Sequence, residues 1–256
     1  MVALITGGAA GIGRGLAYEC AKQGYDVILA SLPSKALEKT VVDFETEFPS
    51  INVYKYAVDF LKENAVEDLH TWVIEKKLNV DVLVNNVGLG SVGPFENSEM
   101  KFYEVMIALN VRITTRMCHA FLSHLQKSKK GFLLNVSSFA GTVPVPNKAV
   151  YSSTKAYVLN LTLSLRHELK SYGVKVAALC PGAVVTSPEV QERIKAAGYF
   201  SMKSALYPNE LAKITFKRLN RGDSVIIPGK LNAFFNFLLT VLPLDIRNTL
   251  MAKAFK

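Results

Sequence analysis

The chain has 256 residues, 50% of them hydrophobic, with 30 basic against 21 acidic side chains and a formal net charge of +9. That length can bury a core as one α/β domain or two small ones, and the composition excludes a disordered polypeptide. The basic residues are scattered, with one short Lys-Ser-Lys-Lys run at 127–130, so no nucleic-acid binding is expected.

The charge suits a phosphorylated cofactor or an anionic lipid surface. Cys20, Cys118 and Cys180 lie in separate apolar runs, which reads as buried free thiols in a reducing, cytoplasmic compartment. The four histidines show no ligand spacing, so no metal site is expected. A strand-like run starts at Val2, which leaves no room for a signal peptide.

Val2–Thr6 is an apolar run suited to a buried parallel strand. Gly7 to Gly13 follow, then a helical pattern through Gln23 that Gly24 stops. Strand, glycine turn and helix form the first half of a βαβ unit. Such glycines let backbone amides approach a pyrophosphate at the helix N-terminus. The turn reads Thr6-Gly7-x-x-x-Gly11-Ile12-Gly13, not the strict G-x-G-x-x-G.

Residues 25–30 read as the second strand. A carboxylate that holds a ribose 2′-hydroxyl is expected at its end, but Ser31-Leu32-Pro33-Ser34-Lys35 stands there. Without an acid, nothing repels a 2′-phosphate. Ser31, Lys35 and Arg14 could receive one, which favours NADP(H) while leaving NAD(H) possible. The plainer alternative is that Ser34 caps the next helix and Lys35 is solvated.

A helix over 34–47 and a strand over 51–57 deliver Asp59 to the ligand edge of the sheet. Asp59 suits either an adenine amino group or the cap of a helix over 63–77. Residues 80–84 form a strand running into Asn85-Asn86-Val87-Gly88, a turn suited to a ligand. A long helical pattern covers 98–127 with Asn110 in its middle. Asn is a poor helix-interior residue, so it either faces solvent or marks a functional kink.

Phe132–Val136 is the fifth strand and ends in Ser137-Ser138; a loop with two prolines covers 141–147. A helix over 147–172, ended by Gly173, carries Tyr151 and Lys155. Four residues apart, these share a helix face one turn apart. A free tyrosine has a pKa of ~10, and a nearby ammonium lowers it, which suits proton exchange with an alcohol or carbonyl.

The sixth strand, 174–180, stops at Pro181-Gly182. Residues 183–206 are irregular and lie past a strand's carboxyl end, where a substrate lid belongs. A helix over 209–219, a strand over 225–227 and an apolar helix over 231–242 follow. The last is too short to span a bilayer. Seven strands alternating with helices predict one doubly wound parallel α/β sheet with helices on both faces, in a single domain over 1–256.

Together these motifs resemble the classical short-chain dehydrogenase/reductase family over about residues 1–229, and so a Rossmann-type fold. The glycine turn resembles its cofactor loop, with Gly7, Gly11, Ile12 and Gly13. Asn85-Asn86-Val87-Gly88 resembles its Asn-Asn-Ala-Gly turn, with Val87 replacing the usual alanine. Leu109-Asn110-Val111 matches its Leu-Asn-Val context. Ser138 has the spacing to Tyr151 of the family's catalytic serine, and Tyr151-x-x-x-Lys155 is its catalytic helix motif. Pro181 to Thr186 resembles the segment beside the nicotinamide.

The resemblance implies hydride transfer between a carbonyl and an alcohol. Tyr151 would be the acid, and Lys155 would lower its pKa and hold the nicotinamide ribose. Ser138 would bind the substrate oxygen, and Asn110 would hold a water that resupplies protons. Gly7, Gly11, Ile12, Gly13, Ser31, Asp59, Asn86, Gly88, Pro181 and Thr186 would bind the cofactor with Tyr151 and Lys155. The resemblance also implies a homodimer or homotetramer built on the Asn110 and Tyr151 helices.

Apolar residues Val184, Val185, Tyr199, Phe200, Met202 and Leu206 favour a hydrophobic small-molecule substrate. The Phe234-Phe235-x-Phe237-Leu238-Leu239 cluster within 230–256 has Lys230, Arg247, Lys253 and Lys256 around it. It fits a peripheral membrane contact, though closure of the substrate pocket or a subunit contact is preferred.

Overall fold

The computed structural model describes residues 1–128 and 130–254, leaving aside the side chains of Phe200 and residues 252–254. Lys129, the Phe200 side chain, the Lys253 side chain and Lys256, all invoked above, therefore lie outside the described residues.

Seven parallel strands form one sheet: β1 (Val2–Thr6), β2 (Asp26–Ser31), β3 (Val53–Ala57), β4 (Val80–Asn85), β5 (Phe132–Val136), β6 (Lys175–Leu179) and β7 (Val225–Ile226). Their order is β3-β2-β1-β4-β5-β6-β7. The order reverses between β1 and β4, and ligands of such sheets bind outside the carboxyl ends at that switch point.

The central strands are apolar on both faces because both are covered. Ala3 and Ile5 of β1 face one layer with Leu16, Phe44 and Phe216. Val2 and Leu4 face the other with Leu69, Met117 and Phe121. The first layer holds α1 (Gly11–Lys22), α2 (Lys35–Glu47) and α9 (Pro208–Arg221). The second holds α3 (Ala65–Glu75) and α5 (Thr114–Lys127), with α6 (Ala149–Glu168) packed against β6. Burying each of the larger side chains among these contributes about 1.5–3 kcal/mol.

The long pattern over 98–127 is not one regular helix. It is α4 (Met100–Ile107), a π-helical segment Ala108–Ile113, and α5. Asn110 lies inside the π segment and is 0% exposed, so of its two readings the buried kink holds. The 147–172 helix ends sooner than its pattern suggests. After Glu168 a 3₁₀ turn, Lys170–Tyr172, leads to Gly173 in the left-handed region.

Two more differences concern the end of the chain. Residues 183–206 are not irregular throughout; they contain α7 (Pro188–Ala196) and α8 (Tyr199–Ser204). Ser187 caps α7 by accepting from Val190 N at 3.3 Å, with Pro188 at the first helical position. These are start signals that short polar helices share with loops. After α10 (Lys230–Val241), Pro243 does not end the helical structure but precedes α11 (Leu244–Ala254). Among the described residues no helix is long and apolar enough to cross a membrane.

Candidate active site

The carboxyl ends of β1 and β4 are laced together. The Thr6 hydroxyl accepts from Asn86 N at 2.9 Å and Val87 N at 3.1 Å. The Asn86 amide returns bonds to Thr6 O at 3.0 Å and Gly7 O at 3.4 Å. A Cβ on Gly13 would sit 2.2 Å from Gly7 O, so only glycine lets α1 start against this turn. Gly11, at φ +54°, faces Thr186, whose Cγ2 would lie 3.1 Å from an added Cβ. The Pro181–Thr186 segment thus approaches the glycine turn from β6.

α1 begins at Gly11 with no side-chain cap and no acidic residue in its first turn. Its leading amides are left for an anion. The crowded glycines and uncapped amides fit the pyrophosphate of a dinucleotide.

At the end of β2, Ser31 is half-buried and Lys35 is exposed at the first position of α2. Ser34 caps α2, accepting from Leu37 N at 3.2 Å. Arg14 is engaged elsewhere: its guanidinium pairs with Asp43 at 3.1 Å and lies 5.6 Å from the Phe44 ring centroid. Arg14 is thus paired here by an accessible ion pair, and Ser31 and Lys35 are the other phosphate candidates. Asp59 does not cap α3, whose N-cap is Asn64. Its carboxylate accepts from Leu61 N at 2.9 Å inside a local turn.

Ser138, Tyr151 and Lys155 come together past the carboxyl end of β5. Ser138 is extended and buried, and its hydroxyl accepts from Ala140 N at 3.1 Å to start a 3₁₀ turn, Phe139–Gly141. That turn closes on α6. A Cβ on Gly141 would lie 2.7 Å from the Lys155 carbonyl, and Ser137 Oγ donates to Lys155 O at 2.7 Å. Lys155, 6% exposed, donates through Nζ to Val136 O at 2.9 Å. Its Nζ is 6.0 Å from the Tyr151 ring centroid.

The 88–90 segment covers this pair. A Cβ on Gly88 would meet Asn110 Oδ1 at 2.7 Å and Lys155 Nζ at 3.3 Å, and one on Gly90 would meet the Tyr151 ring at 3.5 Å. Asn110 holds the segment through both backbone groups of Leu89 and also donates to Thr154 Oγ1 at 2.9 Å.

Burial dominates the electrostatics. It pushes the Tyr151 phenol above its ordinary value, and a Ser138 hydrogen bond pulls the other way. It pushes the Lys155 ammonium down to about 8, with Cys180 opposing. The expected lowering of the Tyr151 pKa by Lys155 is therefore not what these side chains produce together. The ammonium is aimed at Val136 O, and desolvation of the phenolate sets the direction of the shift.

Gly90, Thr154, Cys180 and Asn232 were not picked out as site residues. The buried Cys180 thiol is held up at about 11, chiefly by burial. Thr154 sits inside the Tyr-x-x-x-Lys motif, and Asn232 interrupts an apolar run; those positions were the available signals. Asn232 is buried on α10 and donates to Ser204 O at 3.0 Å and Pro228 O at 3.1 Å. Its amide lies 2.9 Å from where a Cβ on Gly182 would be. One side chain thus touches the end of α8, the 228–229 turn and the Pro-Gly segment.

A sequence profile of the short chain dehydrogenase family matches residues 1–196, and the chain belongs to that family. It is 28% identical over 225 residues to a very-long-chain 3-oxoacyl-CoA reductase of Ajellomyces capsulatus, covering 87% of this chain and 64% of that one. It is 29% identical over 229 residues to an uncharacterized oxidoreductase of Thermotoga maritima, covering 88% and 86%. The fold matches a short-chain dehydrogenase from Sphingobium yanoikuyae solved with NADPH. The TM-score is 0.78 at 25% identity, covering 94% of this chain and 96% of that one. The chain spans less than two thirds of the length of the Ajellomyces reductase.

Proposed function

We propose that the chain is an NADP(H)-preferring oxidoreductase that interconverts a carbonyl and its primary or secondary alcohol, acting on a hydrophobic substrate. The observation that carries this is the meeting of Ser138, Tyr151 and Lys155 beside the uncapped start of α1.

Gly7, Gly11, Ile12, Gly13, Asn86, Gly88, Pro181 and Thr186 would hold the dinucleotide, with Ser31 and Lys35 at the 2′-phosphate. When bound, its nicotinamide supplies or accepts the hydride. Ser138 fixes the substrate oxygen by a hydrogen bond. Tyr151, kept protonated by burial, donates its phenolic proton to that oxygen in reduction and takes one in oxidation. Lys155 would hold the nicotinamide ribose hydroxyls. Asn110 holds the 88–90 segment over Lys155 and shapes the path by which protons return. Residues 183–206 act as the substrate lid.

The apolar side chains of Val184, Val185, Met202 and Leu206 support a hydrophobic substrate, as does the acyl chemistry in the name of the Ajellomyces reductase. Exposed Met100, Ile107 and Tyr157 on α4 and α6 support a homodimer or homotetramer built on those helices.

The test is absorbance at 340 nm with NADPH and then NADH over a panel of aldehydes and ketones. Turnover that needs Tyr151 supports the reading. Tight dinucleotide binding with no turnover on any carbonyl would leave a binding regulator instead.

A further inference from the structure

Three hydroxyl side chains stand between Tyr151 and Lys155. Ser152 donates back to Ala149 O on its own helix at 3.1 Å, and Ser153 is exposed. Thr154 is buried and reaches off α6 to another element. Its one proton goes to Tyr151 O at 2.8 Å, so its oxygen is left to accept, and Asn110 Nδ2 donates to it at 2.9 Å.

That bond completes Asn110. The Asn110 oxygen takes Leu89 N, one amide proton goes to Leu89 O, and the other goes to Thr154. An unbroken chain of hydrogen bonds thus runs from the Tyr151 carbonyl through Thr154 and Asn110 to the backbone of Leu89. Leu89 lies between Gly88, which approaches the Lys155 ammonium, and Gly90, which approaches the Tyr151 ring. Asn110 and Thr154 are both buried, so solvent does not replace a bond lost between them.

We propose that Thr154 is a positioning residue that ties the 88–90 segment to the turn of α6 bearing Tyr151 and Lys155. Its part in turnover rests on the reaction proposed for that pair. Thr154→Val keeps the β-branched outline and removes the acceptor for the second Asn110 proton. With that proton stranded, the segment loosens over the pair and the phenol loses its fixed placement against a bound carbonyl. Misplacement of a reacting group by about 1 Å is enough to slow a reaction severely.

The test compares wild type, Thr154→Val and Thr154→Ser. One readout is hydrogen exchange at the Leu89 amide, which needs no turnover. The other is kcat with NADPH and a carbonyl that wild type reduces, beside NADPH affinity by fluorescence. Thr154→Val is expected to speed Leu89 exchange and to lower kcat, each by about tenfold, with NADPH affinity little changed. Thr154→Ser keeps the hydroxyl and should recover most of both. Should the valine variant fold poorly, Thr154→Ala removes the same hydroxyl and takes its place.

Wild-type exchange at Leu89 in a variant without the hydroxyl overturns the tether. Faster exchange with wild-type kcat overturns the positioning role. So does a serine variant as slow as the valine one, since the missing group would then be the methyl. If wild type reduces no carbonyl, the proposed reaction fails, and exchange at Leu89 alone decides the tether.

Discussion

Asn110 grips both backbone groups of Leu89: its Oδ1 accepts from Leu89 N at 2.8 Å and its Nδ2 donates to Leu89 O at 2.9 Å. A side-chain amide thereby stands in for a strand neighbour to a loop that has none. Asn110→Leu keeps the volume but strands the Leu89 groups. We expect a loss of about 1–3 kcal/mol in stability by chemical denaturation. Turnover should fall more steeply than dinucleotide affinity, because the 88–90 segment lies over Tyr151 and Lys155. Unchanged turnover in a stably folded variant would remove Asn110 from the mechanism.

Tyr151→Phe removes one hydroxyl from a ring that otherwise keeps its packing. Turnover should drop about 10²–10⁴-fold, the range for loss of a positioned acid, while NADPH still binds as judged by fluorescence titration. Ser138→Ala should also lower turnover, and should loosen the 3₁₀ turn that its hydroxyl starts. Retained activity in Tyr151→Phe would sink the proposed proton donor.

Lys155 gives a pH signature. Its folded value, about 8, lies below an ordinary 10.5, so the native state loses this proton first as pH rises. Below pH 8 both states carry the proton and the contribution is constant; between about 8 and 10.5 stability rises with pH through this group. Cys118 and Cys180 act in the opposite sense, because burial raises each from 9.0 to about 11 and stability is lost through them as pH climbs. The readout is thus the difference between wild type and Lys155→Met in denaturant titrations. The gap should move in favour of wild type by up to ~3 kcal/mol across that window. A gap independent of pH would mean that Lys155 is not desolvated.

Gly13→Ala tests the cradle. The added methyl would sit 2.2 Å from Gly7 O and 2.6 Å from Asn86 Nδ2, so the backbone must move. We expect a loss of about 1–3 kcal/mol or more in stability. Dinucleotide affinity should be lost even in preparations that fold. Unimpaired binding would argue that the glycine turn does not hold the pyrophosphate.

Cofactor choice should turn on Ser31. Ser31→Asp places a carboxylate where a 2′-phosphate would lie, and should shift the NADPH to NADH preference toward NADH by about tenfold or more in kcat/KM. No shift would move the 2′-phosphate site away from the end of β2.

Much of the scaffold was legible because its signals are local. Val2–Thr6 and Phe132–Val136 are short apolar runs closed by turn residues, and both became strands with those bounds. Ser34 announced its cap and makes it. What escaped depends on long-range packing. Whether Tyr151 is raised or lowered depends on burial by the 88–90 and 139–141 segments, which its own helix does not encode. The pairing of Arg14 with Asp43 was not foreseen because Asp43 lies on a different helix. The helices within 183–206 are only nine and six residues long, so their periodicity was too brief to separate from loop.

Asn232 bears on how such chains can be recombined. Its amide is shared by the end of α8, the turn at Pro228 and the backbone at Gly182, three pieces that are far apart in sequence. Grafting residues 183–206, the proposed substrate lid, from a relative would leave this shared fastening to chance. A transplant should carry its own partner for position 232 with it. Residues 183–206 and α10 are thereby fastened to each other.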